Sequence, residues 1–238
     1  MKTPILSIAG LFKHFGGVVA IHDISLDIHE GESVGLMGPN GAGKTTLMSV
    51  ISGQHRPDRG KIEFKGKDIV GLPPHRICRL GIARTYQIPQ PFKNLTTLQN
   101  IQVAAIYGRG LRKDEARAEA ARVVRMTGLT GKKEMLAGDL DAITLKRLEL
   151  ARALATNPTL VLIDEVAAGL TEAEIPEMLE ILEQVRSAGM TFLLIEHVLK
   201  VMVGAVDRII VMDNGVKIAE GKPDEVMEDK RVIEAYFG

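Results

Sequence analysis

The chain has 238 residues, 45% of them hydrophobic, which is enough to bury a substantial core and excludes a disordered polypeptide. Lys plus Arg equals Asp plus Glu at 30 each, so no global field draws the chain to nucleic acid or anionic lipid.

The opening "MKTPILSIAG" has too short an apolar run for a secretory signal, and the single Cys78 suits a reducing compartment. The runs "ILSIAGLFKHF" and "VAIHDISLDIH" then predict two strands, "HEGE" a turn and "SVGLMG" a short buried strand. "GKIEFKGKDIV" predicts a hairpin bounded by glycines. From about Thr97 the spacing becomes helical in "TLQNIQVAAIYG" and "RKDEARAEAARVVRMTGL", with Gly128 as a stop. A helix after Asp141 leads into the strand "TLVLID", followed by a Glu-rich amphipathic segment reaching Arg186. Its Glu177, Glu180 and Glu183 read as a solvated face. "MTFLLIEH" is apolar, but the stretch around it holds Glu196, His197 and Lys200 and does not read as a membrane span. In "DRIIVMDNGVKIAEG", Asp213-Asn214-Gly215 marks a hairpin turn. Strands at both ends and helices between them predict an α/β core carrying an inserted helical subdomain.

The strongest chemical signal is "GPNGAGKTT": Gly38, Pro39, Asn40, Gly41, Ala42, Gly43, Lys44, Thr45 and Thr46. It fits the spacing of a phosphate-binding loop. Its glycines let consecutive N–H groups turn toward phosphate oxygens, and the following helix adds its positive end. Lys44 would reach the terminal phosphates and the Thr45 hydroxyl would ligate Mg²⁺. "LVLIDE" supplies a complementary half. The apolar strand ends in Asp164, a magnesium carboxylate, and Glu165 follows as a general base for water.

With these motifs the sequence resembles the ATP-binding subunit of an ATP-binding cassette (ABC) transporter along nearly its whole length. The resemblance implies a P-loop NTPase (RecA-like) α/β fold with an N-terminal antiparallel β-subdomain and an inserted helical subdomain. The expected bounds are one domain over 1–238. Residues 1–88 and 158–238 form the nucleotide-binding core, and 89–157 form the helical signature subdomain. In "LFKHFGG", Phe15 would stack on adenine. In "GIARTYQIPQPFKNLTTLQNI", Gln87 would contact magnesium or water and sense the membrane partner. In "LLIEH", His197 would hydrogen-bond the γ-phosphate. "GLPPHRICRLGIARTYQ" and "GKPDEVMEDKRVIEAYFG" are similar to subunits for branched-chain amino acid import, with urea and lipopolysaccharide transport relatives sharing parts of the pattern. The expected cargo is therefore a branched-chain amino acid or a related small solute.

One stretch departs from that pattern. Aligned on "RLELARAL", the family's signature, close to L-S-G-G-Q, falls on Leu140, Asp141, Ala142, Ile143 and Thr144. The serine and glycines of that signature grip a γ-phosphate held by the opposing subunit. Asp141 would repel that phosphate, and Ile143 puts a branched side chain where backbone should approach closely. Asp141 is also a good helix cap. A folded helix with a weakened grip is the favoured expectation over a shifted register that restores it. Val166 replaces a common proline and Thr171 a common aspartate, with Thr171 to Glu174 reading as a capping box. Pro176 sits late for a first turn and would kink or restart the helix.

The expected protein therefore binds ATP and Mg²⁺ and hydrolyses ATP. It dimerises with a second cassette, a heterodimer being favoured over a homodimer. It sits at the cytoplasmic face of the cell membrane through permease subunits, with no nucleic acid partner. The alternatives are a non-transport ATPase of the same fold and a nucleotide-binding subunit of low activity.

Overall fold

The computed structural model describes residues 3–237, so the expected domain bounds 1 and 238 lie outside the described residues. In chain order the elements are β1 (Leu6–Phe15), β2 (Val18–Ile28), β3 (Ser33–Met37), α1 (Lys44–Ile51), β4 (Arg59–Phe64), β5 (Lys67–Asp68), α2 (Pro74–Leu80), β6 (Ile82–Arg84), α3 (Thr97–Arg109) and α4 (Lys113–Met126). There follow α5 (Ala142–Leu154), β7 (Leu160–Asp164), α6 (Ile175–Ser187), β8 (Thr191–Ile195), α7 (Leu199–Ala205), β9 (Arg208–Asp213), β10 (Val216–Gly221), α8 (Pro223–Met227) and α9 (Lys230–Phe237).

Strands β2-β1-β4-β5 form a four-stranded antiparallel sheet, and β10-β9-β3-β8-β7-β6 a six-stranded one. The second sheet is parallel except for the β9–β10 hairpin, whose turn uses Asn214 and Gly215 at positive φ. Strands buried on both faces need continuous apolar runs, and β3, β7 and β8 have them. Their side chains alternate between two cores. Val34, Leu36, Leu160, Leu162, Leu193 and Ile195 join α1 and the antiparallel sheet in one core. Met37, Val161, Ile163, Phe192 and Leu194 join α5, α6 and α7 in the other. Helix α1, which follows the phosphate loop, has Leu47, Met48 and Ile51 buried in the first core, so the loop is anchored by burial behind it.

Helix α4 buries Ala116, Ala120, Val123 and Val124, one stripe of a helical period, against α3 and α5. Helix α3 starts at a complete capping box between Thr96 and Gln99. The expected box at Thr171–Glu174 is different. The Glu174 carboxylate takes both the Thr171 N–H and hydroxyl, closing a turn, and α6 starts only at Ile175. Pro176 restarts the helix there, because its fixed φ suits a first turn and its missing N–H has no helical partner to lose. Glu177 is not merely solvated. It makes a two-pronged ion pair with Arg147 of α5, tying α6 to that helix.

Candidate nucleotide site

The loop 38–43 leaves β3 at the centre of the parallel sheet and feeds straight into α1. Two of its glycines are required by close approach. A Cβ on Gly38 would stand 2.0 Å from the Met212 carbonyl oxygen, and one on Gly43 2.2 Å from the Ala20 carbonyl oxygen. Both residues also sit at positive φ. Gly43 caps α1 in the left-handed conformation, so the first N–H groups of the helix face the loop.

Above the loop lies a hollow of about 320 Å³ lined by Val18, Val19, Ala20, residues 40–46, Glu165 and His197. Lys44 is buried, and its Nζ donates to the carbonyl oxygens of Gly38 at 2.6 Å and Pro39 at 2.9 Å. Burial lowers the Lys44 ammonium from its ordinary value, against the pull of the Glu165 and Asp164 carboxylates. Lys44→Met keeps the chain length and removes the charge. A charge-assisted hydrogen bond is worth about 1.5–3 kcal/mol, so ATP binding is expected to weaken about 10- to 100-fold. Titration with a fluorescent ATP analogue measures this, and an unchanged Kd removes Lys44 from phosphate binding.

Glu165 follows the end of β7 and takes φ 51°, unusual for a residue with a side chain. Its Oε2 accepts from Gln87 Nε2 at 2.7 Å, and its Oε1 lies 3.1 Å from His197 Nε2. Three candidate residues from three separate loops therefore meet on one carboxylate. Asp164, at the strand end, is 3% exposed, and its Oδ2 accepts from Arg84 at 3.2 Å. Burial pushes the Asp164 carboxyl up, while Arg84 pulls it back toward the ionised form. Thr45 is exposed at the mouth of the loop. Phe15 does not line the hollow. Its ring is exposed and meets His55 edge-on at 5.0 Å, whereas the exposed Val18 and Val19 supply apolar walls.

The helix after "GDL" begins at Ala142 with Asp141 as its N-cap, and it runs without interruption to Leu154. Asp141 Oδ1 accepts from the Thr144 N–H and Oδ2 from the Thr144 hydroxyl, both at 2.8 Å. These two bonds hold the Asp141 carboxyl below the usual carboxylate range. The residue therefore stays anionic at neutral pH.

Sequence reasoning missed Arg84, Lys146 and Glu196. Arg84 reaches Ser49, Ser52 and Gln54 as well as Asp164, and its guanidinium lies 5.3 Å from the Tyr86 ring centre. Strand alternation was the available signal, since Arg84 shares the face of Ile82, which joins the core containing α1. The C-terminal helix also contributes, because the Tyr236 hydroxyl accepts from the Gly38 N–H at 2.8 Å.

A glycine loop cradled between a buried parallel strand and a buried helix, with carboxylates at the end of β7 two strands away in the same sheet, defines a P-loop nucleotide-binding protein. A sequence model of the ABC transporter family matches residues 21–168, and one described as branched-chain amino acid ATP-binding cassette transporter matches 216–238. The chain belongs to the ABC transporter family, as its ATP-binding cassette. It is 38% identical to a probable branched-chain amino acid transport ATP-binding protein, LivG, of Archaeoglobus fulgidus, covering 98% of this chain and 95% of that one. It is 35% identical to the high-affinity LivG protein of Escherichia coli, over 100% of this chain and 99% of that one. A nucleotide-free ATP-binding cassette from an ABC transporter superposes with a TM-score of 0.88 at 32% identity, covering 99% of this chain and all of the other. A dimeric cassette bound to ADP and phosphate gives 0.83 at 25% identity, covering 92% of this chain and 98% of that one.

Proposed function

We propose that this chain hydrolyses ATP to drive uptake of branched-chain amino acids through a membrane permease. The observation that carries the reading is the meeting of Gln87 and His197 on the Glu165 carboxylate at the wall of the phosphate hollow. The names of the full-length relatives support the substrate class. Among the described residues no helix is long and apolar enough to cross a membrane, so passage of the solute falls to permease subunits. We place the chain at the cytoplasmic face of the membrane, held there by those subunits.

In this reading the loop N–H groups and Lys44 hold the β and γ phosphates, and the Val18–Ala20 segment borders the nucleotide. Glu165 accepts a proton from the attacking water. Gln87 and His197 fix the carboxylate's orientation, and His197 reads the γ-phosphate. Mg²⁺ fits a hard oxygen set of the Thr45 hydroxyl, the Asp164 carboxylate and the Gln87 amide oxygen, and when bound it neutralises charge on the phosphates. The Gln87 segment joins the proposed cassette core, 1–88 with 158–238, to the proposed helical region, 89–157. Measuring ATP hydrolysis in proteoliposomes with the permease, with and without leucine, tests the assignment. Stimulation by leucine, isoleucine and valine is expected, and indifference to all of them rejects the substrate class.

We further propose a heterodimer with a homologous cassette. Asp141 supports this, because an anionic cap at the start of α5 opposes a partner's γ-phosphate. The isolated chain is then expected to bind ATP and turn it over slowly. Asp141→Ser keeps a capping side chain, so stability is expected to change by less than about 0.5 kcal/mol. Hydrolysis at high protein concentration is expected to rise several-fold. Brisk turnover by the unmodified chain, or no gain in the serine variant, rejects the weakened grip.

A further inference from the structure

Glu196, one residue before His197, is 3% exposed and belongs to no step above. Its carboxylate is spread over two loops. Oε1 accepts from the Ala167 N–H at 2.6 Å, in the segment that follows Glu165. Oε2 accepts from the N–H groups of His197 at 3.0 Å and Val198 at 3.3 Å. One carboxylate thus clamps the loop after β7 to the loop after β8, immediately behind the Glu165–His197 contact.

Lys146 of α5 completes this clamp. Its Nζ donates to the carbonyl oxygens of Glu165 at 2.9 Å and Ala168 at 2.6 Å. Glu165 needs such support, since its backbone is held at φ 51° and its N–H is committed to the Ile195 carbonyl at 2.9 Å. The Lys146 ammonium and the Glu196 carboxylate attract each other across the same short segment, each offsetting part of the other's burial. Lys146 lies on the helix that Asp141 caps, so a shift of α5 moves the support of Glu165 directly.

We propose that Glu196 and Lys146 are positioning residues that set the Glu165–His197 geometry and transmit the placement of α5 to it. This rests on the reading of Glu165 as the base for water. Neither residue lines the phosphate hollow. It acts on hydrolysis through backbone groups, and misplacement of reacting groups by about 1 Å costs on the order of 100-fold in rate.

Steady-state hydrolysis by the full-length protein, with ATP titrated, tests the proposal in Glu196→Gln, Lys146→Met, Lys146→Arg, Glu165→Gln and His197→Ala. An amide at 196 turns an NH₂ group toward a backbone N–H that needs an acceptor. For Glu196→Gln and Lys146→Met the expected result is a fall in kcat of at least about ten-fold, with KM for ATP within about two-fold. Lys146→Arg, which retains donors, is expected to recover most of the rate. The double variant Glu196→Gln/His197→Ala is expected within about two-fold of His197→Ala alone, as for groups acting as one unit. If Glu196→Gln fails to fold, the two Lys146 variants carry the same test. Wild-type kcat in the folded single variants, or losses that simply multiply in the double, overturns the proposal. A rate that survives Glu165→Gln overturns the reading beneath it instead.

Discussion

Replacing Glu165 by Gln is expected to leave ATP bound and to stop its hydrolysis. The amide keeps the shape of the carboxylate and removes the basic oxygen. General-base assistance is typically worth about 10²–10⁴ in rate, so the single-turnover constant is expected to fall by that factor. The affinity for ATP should change little, because Lys44 and the loop N–H groups are untouched. Gln87 donates its amide to Glu165 at 2.7 Å, so the charge lost is one that a neighbouring donor already addresses. Rapid-quench measurement of phosphate release, beside a binding titration of the same protein, gives both constants. A rate loss below about ten-fold removes the base assignment and leaves Glu165 as a spatial element only.

The second large effect is on stability. Arg84→Met is expected to destabilise the fold by about 3–5 kcal/mol at neutral pH, the range for breaking a buried ion pair from one side. Both side chains are nearly inaccessible, 6% for Arg84 and 3% for Asp164, so water cannot replace the lost partner. Arg84 also gives up its bonds to Ser49 and Gln54, which link β6 to α1 and the segment after it. The deficit has a defined pH dependence. Burial already raises the Asp164 carboxyl, and removing Arg84 raises it further in the folded state. The folded variant then keeps a proton that the unfolded chain has released. Its stability is therefore highest in acid and declines as pH rises from the ordinary carboxylate range toward the new folded-state pKa. Urea denaturation at several pH values should show a deficit that grows toward neutrality. A deficit independent of pH would separate Arg84 from Asp164.

These expectations rest on features of unequal visibility in the chain. The phosphate loop was fully legible, because its requirements are local: glycines at fixed positions, a lysine at the helix start, and apolar runs on either side. The cap at Asp141 was legible for the same reason, since its partner Thr144 lies within the same turn. The resemblance to a known family placed Gln87 and His197, and the structure gives both a partner in Glu165. The capping box misled because Thr171 and Glu174 do pair, yet Pro176 fixes the helix start at Ile175, after the pair.

Hydrophobic spacing, glycine placement and cap chemistry determined the principal strands, helices α1 and α3 to α6, and the nucleotide loop, since each is decided by neighbours along the chain. The short helices α2, α7, α8 and α9 were not legible that way. Only the tertiary structure decided how the carboxylates are held. Arg84 and Asp164 are 80 positions apart, Gln87 and Glu165 are 78, and Glu196 reaches Ala167 across 29. What brings them together is the order β8-β7-β6 in the parallel sheet, with each strand delivering its last residues to the same edge. Periodicity fixes which face a side chain takes, but it leaves open which strand will lie beside it, and buried polar partners depend on that neighbour.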